Sequence, residues 1–199
     1  MADKPTRRLT RPALFICDIQ EKFRPAIWNY DKVILTTQKM IKAATILNIP
    51  IYATTQNRAR LGETCSELPL SSAVAHVDKT RFSMWIPSIT THFSSFTPAE
   101  IVIVGIESHI CVTQTALDAV RAGHKVYVLA DGVSSVNREE VPVALERLRG
   151  EGVTVTTSES WVYECMGDAG IEEFRQVAGL VKESSGGTKE VLGALLSKI

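Results

Sequence analysis

The run Ile101–Ile106 is aliphatic apart from one glycine. A strand of that composition belongs in a sheet buried on both faces, with helices covering it above and below. The rest of the chain supplies both element types in alternation. Ala13–Ile19, Ile51–Thr55, Lys125–Ala130 and Val153–Thr157 read as further strands. Ile34, Thr37, Ile41, Ala44 and Leu47 mark one face of a helix that Asn48 and Pro50 stop. A second helix runs from Ser108, its N-cap, through Ala122, with Val112, Ala116 and Ala119 on one face and Gly123 as the stop. Helices over Glu140–Arg149 and Ile171–Lys182 complete a βαβα series. The series predicts right-handed crossovers and a three-layer α-β-α sandwich around a mainly parallel sheet. Between Gln56 and Thr97 the pattern weakens around Pro69 and Pro87, which predicts loops with one or two short helices. Open α/β sheets place ligands among the loops at the carboxyl ends of their strands.

A chain of 199 residues fits one domain. Its 22 Lys and Arg balance 22 Asp and Glu, so no net field gathers nucleic acid or an anionic membrane surface. The apolar runs are far shorter than the roughly 20 residues that cross a bilayer. Met1–Arg11 is basic, but the apolar stretch after it is short and ends at Asp18, so no signal peptide is expected and the expected compartment is cytoplasmic. The domain is expected over residues 12–183. Ser184–Thr188 reads as a flexible spacer, and Lys189–Ile199 as a short amphipathic tail with Val191, Leu195 and Ile199 on one side. The last residues, Ser197-Lys198-Ile199, resemble the Ser-Lys-Leu peroxisomal address with Ile in place of Leu. The alternative is a tail that packs on a neighbouring subunit.

Cys17, Cys65, Cys111 and Cys165 lie about fifty residues apart, without the clustered spacing of a zinc site or a disulfide framework. Cys111 falls in the first turn of the helix after the central strand, where backbone N–H groups and the helix dipole favour a thiolate. Taken alone it is as readily a packing residue. Asp18 ends an apolar strand and must find a partner there; a general base and a loop cap are both open readings. Lys79, in His76-Val77-Asp78-Lys79-Thr80-Arg81-Phe82-Ser83, reads by itself as a solvated lysine.

Together the three segments Cys17-Asp18-Ile19-Gln20-Glu21-Lys22-Phe23, Lys79-Thr80-Arg81-Phe82-Ser83 and Gly105-Ile106-Glu107-Ser108-His109-Ile110-Cys111-Val112 resemble the signatures of the isochorismatase-like cysteine hydrolases. The resemblance runs from Leu14 to Lys182 and leans toward the eukaryotic isochorismatase domain-containing proteins through Thr55-Gln56, Leu61-Gly62 and Arg81-Phe82-Ser83-Met84. It implies a Rossmann-like six-stranded sheet and a triad of Asp18, Lys79 and Cys111. It also implies a cis peptide at Ile106-Glu107 and an oxyanion hole from the backbone N–H groups of Glu107 and Cys111. An ammonium beside the sulfur favours the thiolate, and a carboxylate can take the thiol proton and later return it to a leaving group.

Nicotinamidases of this superfamily carry an Asp-x-His metal site after the second strand. The matching stretch here is Thr54-Thr55-Gln56-Asn57-Arg58, so neither a metal nor any other cofactor is expected. His76, His92, His109 and His124 are scattered, and packing or surface roles are expected for them, with His109 a candidate to orient near the site. Arg58, Arg60 and Arg81 fall in the loops over the site and favour an anionic substrate. Phe23, Gln56, Phe82 and Trp85 complete the expected substrate-binding set, with Trp85 alternatively a contact between copies in a dimer or tetramer. The leading expectation is metal-independent hydrolysis of isochorismate, begun by protonation of its enol carbon. An amidase working through a Cys111 thioester, and a non-catalytic scaffold that keeps the fold, are the alternatives.

Overall fold

Alternation along the strands sorts the core into two halves. The computed structural model describes residues 6–94 and 97–196. In β1 (Pro12–Cys17), Leu14 and Ile16 join one apolar cluster while Ala13, Phe15 and Cys17 join the other. Such division between opposite faces is what a period of two requires of a strand covered on both sides. The chain continues through α1 (Tyr30–Ile46), β2 (Ile51–Gln56), the single turn α2 (Arg58–Leu61), β3 (Ala75–Lys79) and a second short turn, α3 (Pro87–Thr90). β4 (Glu100–Ile106), α4 (Thr113–Arg121), β5 (Lys125–Ser134), α5 (Glu140–Gly150), β6 (Thr154–Thr156), α6 (Ser158–Met166) and α7 (Phe174–Leu195) follow. The six strands form one sheet in the order β3-β2-β1-β4-β5-β6, and every pairing is parallel. Ile101 and Ile103 face one cluster, Val102, Val104 and Ile106 the other, and none is more than 1% exposed.

The order reverses between β1 and β4. Strands run outward from β1 through β2 to β3 on one side, and from β4 through β5 to β6 on the other. The two chains leaving β1 and β4 therefore diverge and open a crevice at their carboxyl ends, the usual ligand position in open α/β sheets. Gly105 lies beside Cys17 in this pair. Its φ is +125°, and a Cβ there would fall 2.1 Å from the Cys17 carbonyl oxygen, so only glycine allows the two strands to end this close together.

Several elements differ from the sequence reading. β1 stops at Cys17 rather than Ile19 because Asp18 adopts a left-handed conformation with φ +52°. The weakly patterned stretch after Gln56 contains β3 as well as loops and short turns. β3 is an edge strand with alternating burial, and it lacks the aliphatic density of the central strands. The segment Ser158–Met166 forms α6, with Thr157 as its cap and the Asp131 carboxylate accepting from the Ser158 N–H and hydroxyl.

The largest correction concerns the expected spacer Ser184–Thr188, which lies inside the continuous helix α7. Glycine disfavours a helix by about 1 kcal/mol, but α7 docks along α1. Lys39 donates to the Thr188 hydroxyl at 2.9 Å, Lys32 and Lys42 pair with Glu190 and Glu183, and Val191 and Leu195 are buried. Tertiary contact overrides local propensity here. Ser197-Lys198-Ile199 lie outside the described residues. No helix among the described residues is long and apolar enough to cross a membrane.

Gly186 has open space around it. Gly186→Ala should raise stability by about 0.5–1 kcal/mol in urea denaturation, whereas a flexible segment at this position would show no comparable gain. Gly105→Ala should fail to fold or lose several kcal/mol, on the order of the largest single-residue effects.

Candidate active site

Asp18 leaves β1 directly at the crevice, and its left-handed backbone turns the chain out of the sheet. Its amide donates to the Thr54 carbonyl at 3.2 Å, and the Thr54 hydroxyl donates to Oδ1 at 2.7 Å. Lys79 ends β3, two strands away, and reaches back across the end of β2. Its Nζ donates to Asp18 Oδ2 at 2.7 Å, to Gln56 Oε1 at 2.7 Å, and to the carbonyls of Phe82 and Arg81 at 2.9 and 3.1 Å. The Lys79 and Asp18 side chains are 1% and 2% exposed. A buried pair of charges is tolerated only with partners of this number and geometry. Burial works against the ammonium, but the groups around it, with the Asp18 carboxylate at hydrogen-bonding distance, more than offset it and hold Lys79 above the usual lysine pKa.

Cys111 follows β4 across the crevice. The expected helix from Ser108 does not start as an α-helix: Ser108–Val112 is a wider π-type turn, and the α-helical pattern begins at Thr113. Such turns recur at functional sites. Ser108 does not cap it either, because its hydroxyl bonds the Ser135 hydroxyl. The Thr115 hydroxyl donates to the Cys111 carbonyl at 2.6 Å and accepts from the Met84 N–H at 2.9 Å, tying the turn to the loop after β3. Cys111 is 7% exposed and belongs to the same buried cluster as Cys17. The Ile106-Glu107 peptide is cis. The Glu107 carboxylate accepts from the Val136 N–H at 2.9 Å, and His109 Nδ1 lies 2.9 Å from the Ser135 hydroxyl.

The structure thus brings Asp18, Lys79 and Gln56 into contact, sets Cys111 within electrostatic reach of Lys79, and anchors Arg81 and Phe82 at the mouth through their carbonyls. Both of those side chains are exposed. Gln56 is a floor residue rather than a substrate ligand, since its side-chain carbonyl receives Lys79 and its amide donates to the Thr80 carbonyl. Arg58 pairs with Glu63 at 3.3 Å and bonds the Thr55 hydroxyl, so its charge is already engaged. Arg60 lies exposed on α2, where its carbonyl receives Lys22. Phe23 packs against the core cluster on the α1 side of the sheet. Trp85 turns away from the crevice into an aromatic group with Phe15, Phe93 and His124, because the loop returns under the sheet after Phe82.

Sequence reasoning missed three supports. Thr54 holds Asp18. Gln20, fully buried, accepts from the Gln56 N–H and donates to the Gln56 and Gly62 carbonyls. Cys17 places its sulfur 3.6 Å from Asp18 Oδ2. The available signal was polarity: Thr54, Thr55 and Gln20 are polar residues in segments buried like core.

A family model described as Isochorismatase domain matches residues 12–160. The secreted isochorismatase effector Isc1 of Phytophthora sojae (strain P6497) is 40% identical over 189 residues, covering 89% of this chain and 90% of its own. Isochorismatase domain-containing protein 1 of Danio rerio is 36% identical over 172 residues; the match covers 86% of this chain and 61% of that protein's length. Among solved structures, the MAR1 ribonuclease from Caenorhabditis elegans superposes with a TM-score of 0.82 at 35% identity, over 92% of this chain and 93% of that one. The chain therefore belongs to the isochorismatase family and is an isochorismatase-like hydrolase.

Breaking the buried ion pair should be costly from either side. Asp18→Ala and Lys79→Met should each lose about 3–5 kcal/mol in urea denaturation, and the double variant should lose less than their sum. Because the folded pKa of Lys79 is raised, its contribution is complete below the ordinary lysine value of 10.5 and is lost only as pH rises through the higher folded value. Stability referred to this group should hold constant from neutral pH into that range.

Proposed function

We propose that this hydrolase acts on a small anionic substrate without a metal, isochorismate being the first candidate, with Asp18, Lys79 and Cys111 as its working groups. The observation that carries this reading is the setting of Asp18: a carboxylate at the sheet's switch point, gripped by Lys79 and Thr54 and bordered by the Cys17 thiol. So surrounded, it is poised to accept a proton from Cys111 or from water and then to pass it on. Isochorismate is a vinyl ether. Asp18 would deliver the proton to its terminal enol carbon, and water would add to the resulting oxocarbenium carbon. Collapse of that hemiketal would break the C–O bond and give pyruvate and 2,3-dihydroxy-dihydrobenzoate. Arg81, exposed at the mouth and held there through its carbonyl, is the cation for a substrate carboxylate, and Phe82 beside it offers an apolar wall. The likeness to Isc1, named as an isochorismatase effector, supports the same substrate.

A second reading is favoured by Cys111. Its place at the start of a helical turn, within electrostatic reach of Lys79, suits a nucleophile that attacks a carboxamide. Backbone N–H groups of Glu107 and Cys111 would hold the oxyanion, and Asp18 would return the thiol proton to departing ammonia.

Pyruvate and ammonia release separate the two. With isochorismate, the wild type should release pyruvate, and Asp18→Ala, or Asp18→Asn if the former does not fold, should lose roughly 10²–10⁴-fold in kcat/KM. Arg81→Ala should raise KM with a smaller change in kcat. Unchanged turnover in the Asp18 variants would refute the acid role. Ammonia release from a panel of small amides that vanishes in Cys111→Ala would install the second reading.

A further inference from the structure

The thiol of Cys17 has no part in either hydrolysis, yet it lies against Asp18 at the crevice. Alternation along β1 sends Cys17 to the same face of the sheet as Cys111, and pairing with β4 sets it beside Gly105, where the strands end closest. Its sulfur is 3.6 Å from Asp18 Oδ2, the oxygen that Lys79 also holds, and Cys111 packs in the same buried cluster on that face and is among the groups that raise the Cys17 thiol's pKa. Cys65 and Cys165, by contrast, belong to the apolar cluster across the sheet.

The two neighbouring thiols are not equivalent. Cys17 is 0% exposed and Cys111 7%. Burial first, then Cys111 and Asp18, push the Cys17 thiol well above its ordinary pKa, so it keeps its proton. Cys111 is the thiol a small oxidant meets first, and Cys17 is a protonated partner held within the site.

We propose that Cys17 and Cys111 are an oxidisable pair, in which Cys111 is oxidised by a hydroperoxide and Cys17 closes a reversible disulfide with it. In the first step the Cys111 sulfur takes one oxygen from the peroxide, the O–O bond breaks, and Cys111 becomes a sulfenic acid with release of water or an alcohol. In the second the Cys17 sulfur attacks the Cys111 sulfur and the S–O bond breaks. The departing hydroxide leaves as water with the Cys17 proton, which Asp18 is placed to carry. Two electrons leave the two thiols and reduce one peroxide. Two equivalents of an external thiol reverse the change by exchange. The disulfide caps the sulfur of Cys111 and spares it further oxidation. This goes beyond the hydrolase reading and does not require it, since it rests on two thiols that share one face of the sheet at the crevice.

The test is made on the full chain, reduced, exposed to hydrogen peroxide, then denatured and alkylated. The wild type should lose two of its four alkylatable thiols and the mass of two hydrogens, yield a Cys17–Cys111 cross-linked peptide, and recover fully in dithiothreitol. Cys17→Ala and the more conservative Cys17→Ser should form no internal disulfide; their Cys111 should advance to sulfinic and sulfonic acids that dithiothreitol does not reverse. Wild-type protein that gains oxygen on Cys111 while Cys17 stays alkylatable would overturn the proposal. So would a bridge to Cys65 or Cys165 or between copies, or four thiols left intact. The readout is mass, so it stands whether or not either hydrolysis is observed.

Discussion

One buried ammonium organises the carboxyl end of the sheet. Lys79 Nζ meets the Asp18 carboxylate, the Gln56 side chain and two carbonyls of the loop that follows it. These acceptors come from the ends of β1 and β2 and from the loop after β3. Taking a charge from water is expensive, and every acceptor lost would leave part of that cost uncompensated. The loops can therefore not drift apart independently. The ion pair fixes the depth of Asp18, and the loop it anchors reaches Thr115 and, through Thr115, the carbonyl of Cys111.

The sheet makes this convergence possible. Asp18 and Cys111 come from the two strands between which the order reverses, so no crossing chain fills the space above them. Lys79 comes from an edge strand, and only a long side chain can span the neighbour between. Strands lie about 4.8 Å apart, so two strand spacings approach 10 Å, a gap that an extended lysine closes only together with the 2.7 Å hydrogen bond and the Asp18 side chain that meets it. An arginine there would bring a broader head into a cavity already filled by four close acceptors, and a shorter residue would not arrive.

The layers were legible in the sequence because burial on both faces writes dense aliphatic runs, as at Ile101–Ile106, and amphipathic helices write a period near 3.6. The triad was legible only through the resemblance of three separated motifs; taken singly, Asp18, Lys79 and Cys111 each had a bland alternative. β3 escaped because an edge strand needs little apolar density, and the continuity of α7 through Ser184–Thr188 because docking onto α1 outweighs two glycines in its middle. The substrate-binding set fared unevenly for a related reason. Whether Arg58 or Trp85 faces the crevice depends on Glu63, Phe15 and Phe93, partners that no local pattern announces.

The division between floor and rim bears on how substrates are told apart. Gln20, Gln56, Thr54 and Lys79 spend their hydrogen bonds on one another and on the backbone, so the floor offers few groups to recognise a substrate beyond the reacting ones. On the proposed reading, discrimination falls to side chains that are anchored but still unsatisfied. Arg81 and Phe82 meet that description, with carbonyls pinned by Lys79 and side chains in solvent. A rim held by its backbone can change its side chains with little effect on the buried pair beneath, because the Lys79 contacts are made to carbonyls that every residue possesses. The same reacting groups can in this way serve different substrates without a change in the fold that presents them.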